Sequence, residues 1–470
     1  MAQQYRVRVL DESFVAPPPG SVSRTNIPLT FLDVSWLFCP PAESVLFYEF
    51  PHPTLHFTEN IFPHLKQSLS LTLRYFFPFA GNLTCPPPPN NPYILYNEGN
   101  SIQVTLAQSD ADFNHLTANY ARDNTQFKCL VPTLPMTTIS SDQTHVMPLM
   151  ALQFTVFPNS GVSIGISCNH VAADGRSFYH FMKSWASIHR SESFSLPYHN
   201  RDVIKDPHGR DLFSIFMNDI MKWEISPPPG PATDIPEDNV RLTLVLSRAQ
   251  IEKLKESITA QIRNDNEQAR EVQPLHMSTF VATCAFMWVN LVKLQESSET
   301  TGGELQDDET LYHLLPADCR EQFDEFPVPA TYFGNCLALV LLSAKRSELM
   351  GENGIVFAAT EIGRQIYELK KKGPLIGAEK WVSNLIKAVE TGRAVMVSGS
   401  PRFHEYETDF GWGTPRKSEI VHIGANGGYS LAGRRDDQEG PGAIEIGIVI
   451  GRHKIDDFNV IFKQALNLNF

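Results

Sequence analysis

The residue best placed for chemistry is His170, at the end of the strand-like segment Val162–His170, where apolar residues first alternate with small ones. A histidine at a strand-to-helix junction can project into a cleft while the neighbouring main chain fixes its ring. Because imidazole titrates near neutral pH, such a residue can take a proton from a hydroxyl and return it to a leaving group. The sequence therefore offers His170 as a general base.

The spacing of His170 and Asp174 is weak support on its own. An isolated histidine at the end of a strand is usually a satisfied structural residue, and Asp174 stands where a carboxylate caps the next helix. A thiol mechanism is an alternative for the same segment, because Cys168 and His170 lie two residues apart and would share a strand face. Cys168, however, falls among apolar residues, where a thiol tends to be inert.

Regular apolar spacing predicts the elements that would position His170. Helical spacing covers Phe62–Leu73 and returns after His170, over Phe178–Ile188. Ser278 is expected to cap a long apolar helix. Glu419–Ile423 and Tyr429–Leu431, joined by a turn at Asn426-Gly427-Gly428, predict a β-hairpin. Helices and strands are mixed in both halves, which indicates an α/β protein.

Length predicts more than one domain, because 470 residues exceed what a single hydrophobic core holds. The proline-rich segment Ser226–Asn239 can continue neither a helix nor a central strand, so it is a natural linker. We therefore expect domains at residues 1–195 and 241–470, with a crossover linker at 196–240.

Charge and cysteine content exclude several classes of function. The formal net charge is −13, so the surface repels phosphate backbones and nucleic acid is not an expected partner. Seven cysteines without a Cys-x-x-Cys pair indicate reduced thiols rather than a disulfide scaffold or a zinc site. The first residues lack the apolar core of a secretory signal, and no apolar run reaches the ~18 residues of a membrane span. We expect a cytosolic, cytoplasmic monomer with neither metal nor membrane partner.

Three further motifs accompany His170 and Asp174, namely Ala317-Asp318-Cys319-Arg320, Tyr332-Phe333-Gly334-Asn335-Cys336 and Asp409-Phe410-Gly411-Trp412-Gly413. In this order and at these separations, the chain resembles the BAHD acyltransferase family of plants. The YFGNC pentapeptide is typical of the branch that acylates anthocyanins, flavonoids and other phenolic glycosides. Leu29–Asp33 and Leu65–Gly81 extend the resemblance, which covers essentially the whole chain.

The resemblance implies a fold of two domains of similar size, each a mixed β-sheet with flanking helices, related to chloramphenicol acetyltransferase. A channel runs between the domains, and His170 lies midway along it. Acyl-CoA, a co-substrate rather than a permanently bound cofactor, would enter from one end and the phenolic glycoside acceptor from the other. His170 would then deprotonate the acceptor hydroxyl in a ternary complex, without a metal or a covalent acyl-enzyme. A non-catalytic CoA- or flavonoid-binding protein on this fold is another alternative, although a binder needs no base at the channel centre.

The resemblance also implies roles for other residues. Asp174 points away from the site and pairs with an arginine, for which Arg320 is the candidate. Asp409 and Trp412 hold a loop far from the reacting carbonyl. Ser398 matches the region of a hydroxyl that stabilises the oxyanion.

The acyl donor depends on the helix that follows Asp174. Some malonyl-using relatives have an arginine four residues after the motif aspartate, where this chain has Phe178. Phe178 suits a pocket for a hydroxycinnamoyl ring, whereas Arg176 is a candidate to bind a malonyl carboxylate. Both hydroxycinnamoyl-CoA and malonyl-CoA stay open as donors, and the aromatic residue favours the first.

Overall fold

The computed structural model describes residues 6–225, 238–269, 277–297, 308–323, 327–425, 427–434 and 442–467. The strands in these ranges are, in chain order, β1 (Val7–Val15), β2 (Thr25–Pro28), β3 (Ala42–Glu49), β4 (Asn82–Cys85), β5 (Tyr93–Tyr96), β6 (Ile102–Ser109), β7 (Arg122–Asp123), β8 (Thr138–Ile139), β9 (His145–Pro148), β10 (Met150–Phe157), β11 (Gly161–Cys168), β12 (Asn239–Leu246), β13 (Thr310–Asp318), β14 (Leu337–Lys345), β15 (Ala394–Ser398), β16 (Lys417–Ile420), β17 (Tyr429–Gly433) and β18 (Ile444–Gly451).

The helices in the same ranges are α1 (Phe31–Val34), α2 (Thr54–His56), α3 (Phe62–Leu73), α4 (Phe113–Leu116), α5 (Thr125–Lys128), α6 (Gly175–His189), α7 (Leu212–Ile225), α8 (Arg248–Ala269), α9 (Thr279–Glu296), α10 (Arg346–Met350), α11 (Gly354–Lys372), α12 (Trp381–Glu390) and α13 (Ile455–Asn467). A π-helical turn, Phe57–Ile61, joins α2 to α3. None of the described helices is long and apolar enough to cross a membrane.

The first sheet has the order β1-β6-β10-β11-β3-β16, and His170 follows its strand β11. β6 and β10 run parallel, whereas the other neighbours are antiparallel. β10 and β11 are buried along their whole length. One of the small residues of β11 has no room for a side chain, because a Cβ at Gly165 would overlap the carbonyl of Leu130.

The second large sheet has the order β14-β13-β15-β17-β18-β12-β7, and β15 runs parallel to both β13 and β17. A third, antiparallel sheet has the order β2-β5-β4-β9-β8. Ser278 caps α9 as predicted, since its Oγ accepts a hydrogen bond from the Val281 N–H at 3.2 Å. Thirteen of the eighteen residues of α9 are buried, so this helix belongs to the core.

Each large sheet contains a strand from the other half of the chain. β16 pairs with β3 in the first sheet, and β7 pairs with β12 in the second. Glu419 of β16 reinforces this exchange, because it forms buried ion pairs with Arg122 of β7 at 2.8 Å and with Arg241 of β12 at 3.2 Å. The two halves are therefore interlocked by backbone pairing and by buried charge.

The predicted α/β class with mixed sheets is confirmed, and so are the helices over Phe62–Leu73 and after His170. The predicted hairpin is wrong. Its first arm lies in β16, which pairs with β3 of the first sheet, and its second arm lies in β17, which pairs with β15 and β18 of the other large sheet. Asn426, in the predicted turn, lies outside the described residues.

The predicted linker at 196–240 contains a packed helix. Phe216 of α7 packs edge-on against Phe31, with ring centroids 6.3 Å apart, and lies 6.3 Å from the ring of Trp381. Residues 226–237, which hold the proline-rich part, lie outside the described residues. The domain boundaries themselves stay a prediction.

Candidate active site

His170 lies on the short loop between β11 and α6, and both its ring and its main chain are held. The Trp36 ring stacks on the imidazole, with centroids 4.0 Å apart and planes 15° from parallel. The side-chain Nδ2 of Asn335 donates to the carbonyls of His170 and Val171, at 3.0 and 3.2 Å. The loop is therefore clamped by residues more than 100 positions distant on either side.

The surroundings of His170 favour a neutral imidazole. The residue is half-buried, and desolvation lowers its pKa below the usual value, although the carboxylate of Asp174 opposes this shift. The ring Nδ1 is buried and has no hydrogen-bonding partner in the part of the chain that the structure describes. A neutral imidazole has a free lone pair, so it can accept a proton.

Asp174 supports the loop of His170 through contacts with three different elements. One carboxylate oxygen accepts from the Ser177 N–H at 2.9 Å and so caps α6. The other lies 2.8 Å from Arg320 Nη2, and both side chains are fully buried. It also accepts from the Cys336 N–H at 3.0 Å. The predicted pairing of Asp174 with Arg320 is therefore present.

The electrostatics of this buried pair favour both charges. Burial alone would lower the pKa of the Arg320 guanidinium, but the carboxylates of Asp174 and Asp318 raise it above the ordinary value. Asp318 accepts from Arg320 Nη1 at 2.9 Å. Arg320 thus stays protonated, and the loop of His170 is bound to β13 through charge-assisted hydrogen bonds.

The YFGNC segment packs beneath the same loop. Besides holding the His170 carbonyl, Asn335 donates from its main chain and its side chain to Asp33 Oδ1, at 3.1 and 3.0 Å. Gly334 has no room for a side chain, because a Cβ there would overlap the Arg201 guanidinium. Arg201 in turn donates to the Tyr332 hydroxyl at 2.8 Å.

Helix α1 joins this polar network to the His170 ring. Thr30 and Asp33 form a reciprocal cap at its start, and the fully buried Asp33 also lies 3.6 Å from Arg201. Trp36 lies in the turn that follows α1, where its main-chain N–H donates to the Asp33 carbonyl at 3.0 Å, and its ring reaches the imidazole. The short helix and this turn thus carry a residue that anchors the network and a residue that orients the ring.

His170 opens into a cavity of about 2220 Å³. Its walls come from both halves of the chain, including Trp36 and Phe178 from the first half and Ser398 and His422 from the second. The cavity therefore lies between the halves, where the channel was expected.

Ser398 ends β15 and lies half-buried on the cavity wall. The next residue, Gly399, has a φ of +75°, and a Cβ there would press on the Leu431 carbonyl and the Ile420 side chain. Only glycine tolerates this conformation and this close approach. The structure therefore brings Ser398 into the same cavity as His170, beside the end of β16.

Arg176 and Phe178, the two candidate donor-binding residues, also line the cavity. Arg176 is already engaged, with its guanidinium 2.8 Å from Asp318 and 3.9 Å from Glu321. Phe178 is half-buried, and its ring lies 5.1 Å from that of Tyr179. The cavity thus offers an aromatic surface and a neutralised cation at this position.

A family model, described as the transferase family, matches residues 6–463. This chain belongs to the BAHD transferase family. It is 36% identical to the coumaroyl-CoA:anthocyanidin 3-O-glucoside-6''-O-coumaroyltransferase 1 of Arabidopsis thaliana, over 98% of this chain and 97% of the relative. It is 35% identical to the malonyl-coenzyme:anthocyanin 5-O-glucoside-6'''-O-malonyltransferase of Salvia splendens, over 96% of this chain and 94% of that one. The predicted family and branch are confirmed.

The fold agrees with this assignment. The chain is similar to the crystal structure of vinorine synthase, with a TM-score of 0.66 and 18% sequence identity over 96% of both chains. At that identity the likeness concerns the fold alone.

The DFGWG segment of this BAHD chain packs away from the cavity. Asp409 Oδ1 accepts from the N–H groups of Gly411 and Gly413, at 2.7 and 3.0 Å, and so closes the loop on itself. Trp412 stacks between Tyr48 and Phe57, with both pairs of centroids 5.7 Å apart. None of residues 409–413 lines the cavity, which agrees with a structural role.

The thiol alternative loses its chemical basis. Burial raises the pKa of Cys168 to about 12, so the thiolate is scarce at neutral pH. The Sγ points back to the main chain, where it lies 3.6 Å from the Asn169 carbonyl.

Among the residues that the structure describes, no group of three or more histidine, cysteine, aspartate or glutamate side chains could hold a metal ion.

Sequence reasoning missed four residues that shape the site: Asp33, Trp36, Asn335 and His422. Asp33 and Asn335 lie in segments that carry the family resemblance, but no local pattern shows what their side chains contact. Trp36 and His422 carry no signal in the sequence, because their position beside His170 depends on strand and helix packing across the whole chain.

Proposed function

We propose that this enzyme transfers a hydroxycinnamoyl group from CoA to a sugar hydroxyl of an anthocyanin, a flavonoid or another phenolic glycoside, with His170 as general base. The observation that carries the proposal is the placement of a neutral, clamped imidazole in a cavity between the two halves. Relatives at about 35% identity are named for this type of acyl transfer.

His170 takes the proton from the acceptor hydroxyl as the hydroxyl oxygen attacks the thioester carbonyl. A new C–O bond forms, and the carbonyl oxygen becomes the oxyanion of a tetrahedral intermediate. Ser398 is the candidate donor to that oxygen. The C–S bond then breaks, the carbonyl forms again, and His170 returns its proton to the CoA sulfur. Donor and acceptor must be bound together, so initial-rate plots should intersect rather than run parallel.

The donor preference follows from the engagement of Arg176. A cation that already pairs with Asp318 and Glu321 has little left to offer a malonyl carboxylate, and exposed glutamate beside it would repel that group. Phe178 offers a ring-sized apolar surface in the same region. An aromatic acyl group therefore fits this part of the cavity better than a charged one.

A competition assay tests the donor. Equal concentrations of p-coumaroyl-CoA and malonyl-CoA are offered with an anthocyanidin 3-O-glucoside, and products are counted by mass spectrometry. We expect at least about tenfold preference for coumaroyl transfer, which equals about 1.4 kcal/mol in transition-state binding. Phe178→Arg, which places a cation at the position expected to meet a malonyl carboxylate, should move the ratio toward malonyl. A wild-type preference for malonyl-CoA would contradict the proposal.

The base is tested by His170→Ala, with the exposed His208→Ala as the matched control. We expect turnover to fall by about 10²–10⁴-fold, while the Kd of desulfo-CoA stays unchanged. His208→Ala should behave like the wild type. If His170→Ala kept more than about half of the activity, His170 would not be the base, and a binding protein would be the better description of the fold.

We also infer that the enzyme acts as a monomer in the cytosol. All seven cysteines are free thiols in the structure, as expected for a reducing compartment. A single sedimentation peak near 52.8 kDa, together with a diffuse cytosolic signal of a fluorescent fusion, would support both statements. A dimer peak or a signal confined to an organelle would contradict them.

A further inference from the structure

A second histidine, His422, occupies the same edge of the first sheet as His170. β11 and β16 both run antiparallel to β3, which lies between them, so β11 and β16 run parallel and end at the same edge. His170 follows β11 by two residues, and His422 follows β16 by two residues. Strands separated by one neighbour are about 10 Å apart. Both histidines line the cavity.

The hydrogen bonds of His422 define where its proton lies. The main-chain N–H of Glu43, which can only donate, gives a hydrogen bond to His422 Nδ1 at 3.0 Å. Nδ1 also lies 3.2 Å from the Glu43 carbonyl oxygen, but the shorter contact, with a group that can only donate, assigns the lone pair to Nδ1, so in a neutral ring the proton sits on Nε2. Nε2 makes no hydrogen bond to any residue that the structure describes. Within the described part of the chain, the ring is therefore a donor whose proton is not used.

His422 stays in this neutral form at the pH of the cell. Its pKa falls to about 4, mainly because the ring is buried and to a smaller extent because His170 and the cationic Arg241 lie nearby. For His170, in contrast, burial is opposed by the carboxylates of Asp174 and Asp33. Two titratable groups whose surroundings separate their proton affinities are suited to different tasks. The one with the higher affinity accepts the proton, and the other donates a hydrogen bond.

We propose that His422, through its Nε2–H, donates a hydrogen bond to the thioester carbonyl oxygen as that oxygen becomes the oxyanion. The inference rests on the proposed acyl transfer. A fixed, neutral donor in a cavity costs no reorganisation when charge develops on the substrate. Gly399, which follows Ser398, lies against Ile420, the last residue of β16, and both Ser398 and His422 line the cavity, so Ser398 is a second candidate donor to the same oxygen.

Two amide variants separate this role from a structural one. In His422→Asn the side-chain oxygen can still accept from the Glu43 N–H, but nothing reaches the position of Nε2. In His422→Gln the amide nitrogen falls near Nε2 and can replace the donor. For the Asn variant we expect kcat to fall by about 10²–10³-fold, with KM for coumaroyl-CoA and for the glucoside within about threefold and an unchanged Tm. The Gln variant should recover most of kcat.

Two results would overturn the inference: kcat of the Asn variant within about threefold of wild type, or a loss confined to KM. A Gln variant as slow as the Asn variant, both with wild-type Tm, would overturn it as well. If the Asn variant fails to melt cooperatively, His422→Phe serves as the second variant without a donor. Inactivity of the wild type with every acyl-CoA would instead refute the proposed function, so the two failures are distinguishable.

Discussion

The YFGNC and DFGWG segments both belong to the second half of the chain and both dock on the first half, but by different physics. YFGNC contributes directed hydrogen bonds to Asp33, to Asp174 and to the His170 carbonyl. DFGWG contributes stacked aromatic rings against Tyr48 and Phe57. Hydrogen bonds fix a direction, whereas ring packing mainly adds buried apolar area. The first segment therefore sets the orientation of the imidazole, and the second mainly stabilises the contact between the two halves.

The largest effect is expected from breaking the charge pair beneath His170. Asp174→Asn keeps the shape and the capping oxygen but removes the fully buried carboxylate that faces Arg320 and leaves it the partly exposed Asp318, at a cost of up to roughly 3–5 kcal/mol in the free energy of unfolding. Activity should fall together with stability, because the loop that aims His170 loses its anchor. Chemical denaturation and kcat measured on the same sample check this. Activity lost at an unchanged Tm would mean that Asp174 acts directly in catalysis.

A double-mutant cycle with Arg320→Gln sharpens this result. The single substitutions should each be costly, and the double variant should be less destabilised than their sum, because the two buried charges are removed together. Coupling near zero would contradict the ion pair, in which Arg320 Nη2 lies 2.8 Å from the Asp174 carboxylate.

Trp412→Ala should destabilise without changing the chemistry. Removing a large aromatic side chain from a packed cluster costs about 3–5 kcal/mol, while kcat measured well below the Tm should stay within about threefold, since the residue does not line the cavity. Trp412→Phe is the control. It keeps a ring between Tyr48 and Phe57, so its free energy of unfolding should fall less than that of Trp412→Ala. A kcat as low as that of the Asp174 variant would remove the distinction between the two segments.

Asn335→Ala tests whether the YFGNC segment sets the orientation of His170. It leaves the His170 and Val171 carbonyls without their donor, at a cost of about 1–3 kcal/mol. The released loop should lower kcat by at least about tenfold and alter the pH profile of kcat/KM, because the imidazole loses its fixed orientation. An unchanged pH profile, with stability as the only loss, would assign Asn335 to packing.

The smallest effect is expected at Asp409. Its Oδ1 accepts two main-chain hydrogen bonds, and the carbonyl oxygen of Asp409→Asn can accept both. We expect Asp409→Asn to lower the free energy of unfolding by less than about 1 kcal/mol. Asp409→Ala, which leaves both N–H groups unpaired, should lower it by about 1–3 kcal/mol. If Asn and Ala were equally harmful, the charge rather than the loop geometry would matter.

Local patterns predicted what lies close in sequence. Helix α6 with Asp174 at its cap, helix α9 with Ser278 at its cap and the buried strand before His170 all follow from spacing over a few residues. The family resemblance added the Asp174–Arg320 pair. Neither source shows that Asn335 reaches a carbonyl 165 residues away, or that the arms of a hairpin-like segment join different sheets. Such contacts arise from long-range pairing, which period and propensity do not encode.

The exchange of β7 and β16 between the sheets affects how the protein unfolds. Neither half can unfold alone without stripping a strand from the other sheet and exposing the buried charges of Arg122, Arg241 and Glu419. Heating should therefore give one calorimetric transition instead of two. A backbone nick between residues 225 and 238 should leave the fragments bound to each other and active, while either fragment produced separately should aggregate through its unpaired edge.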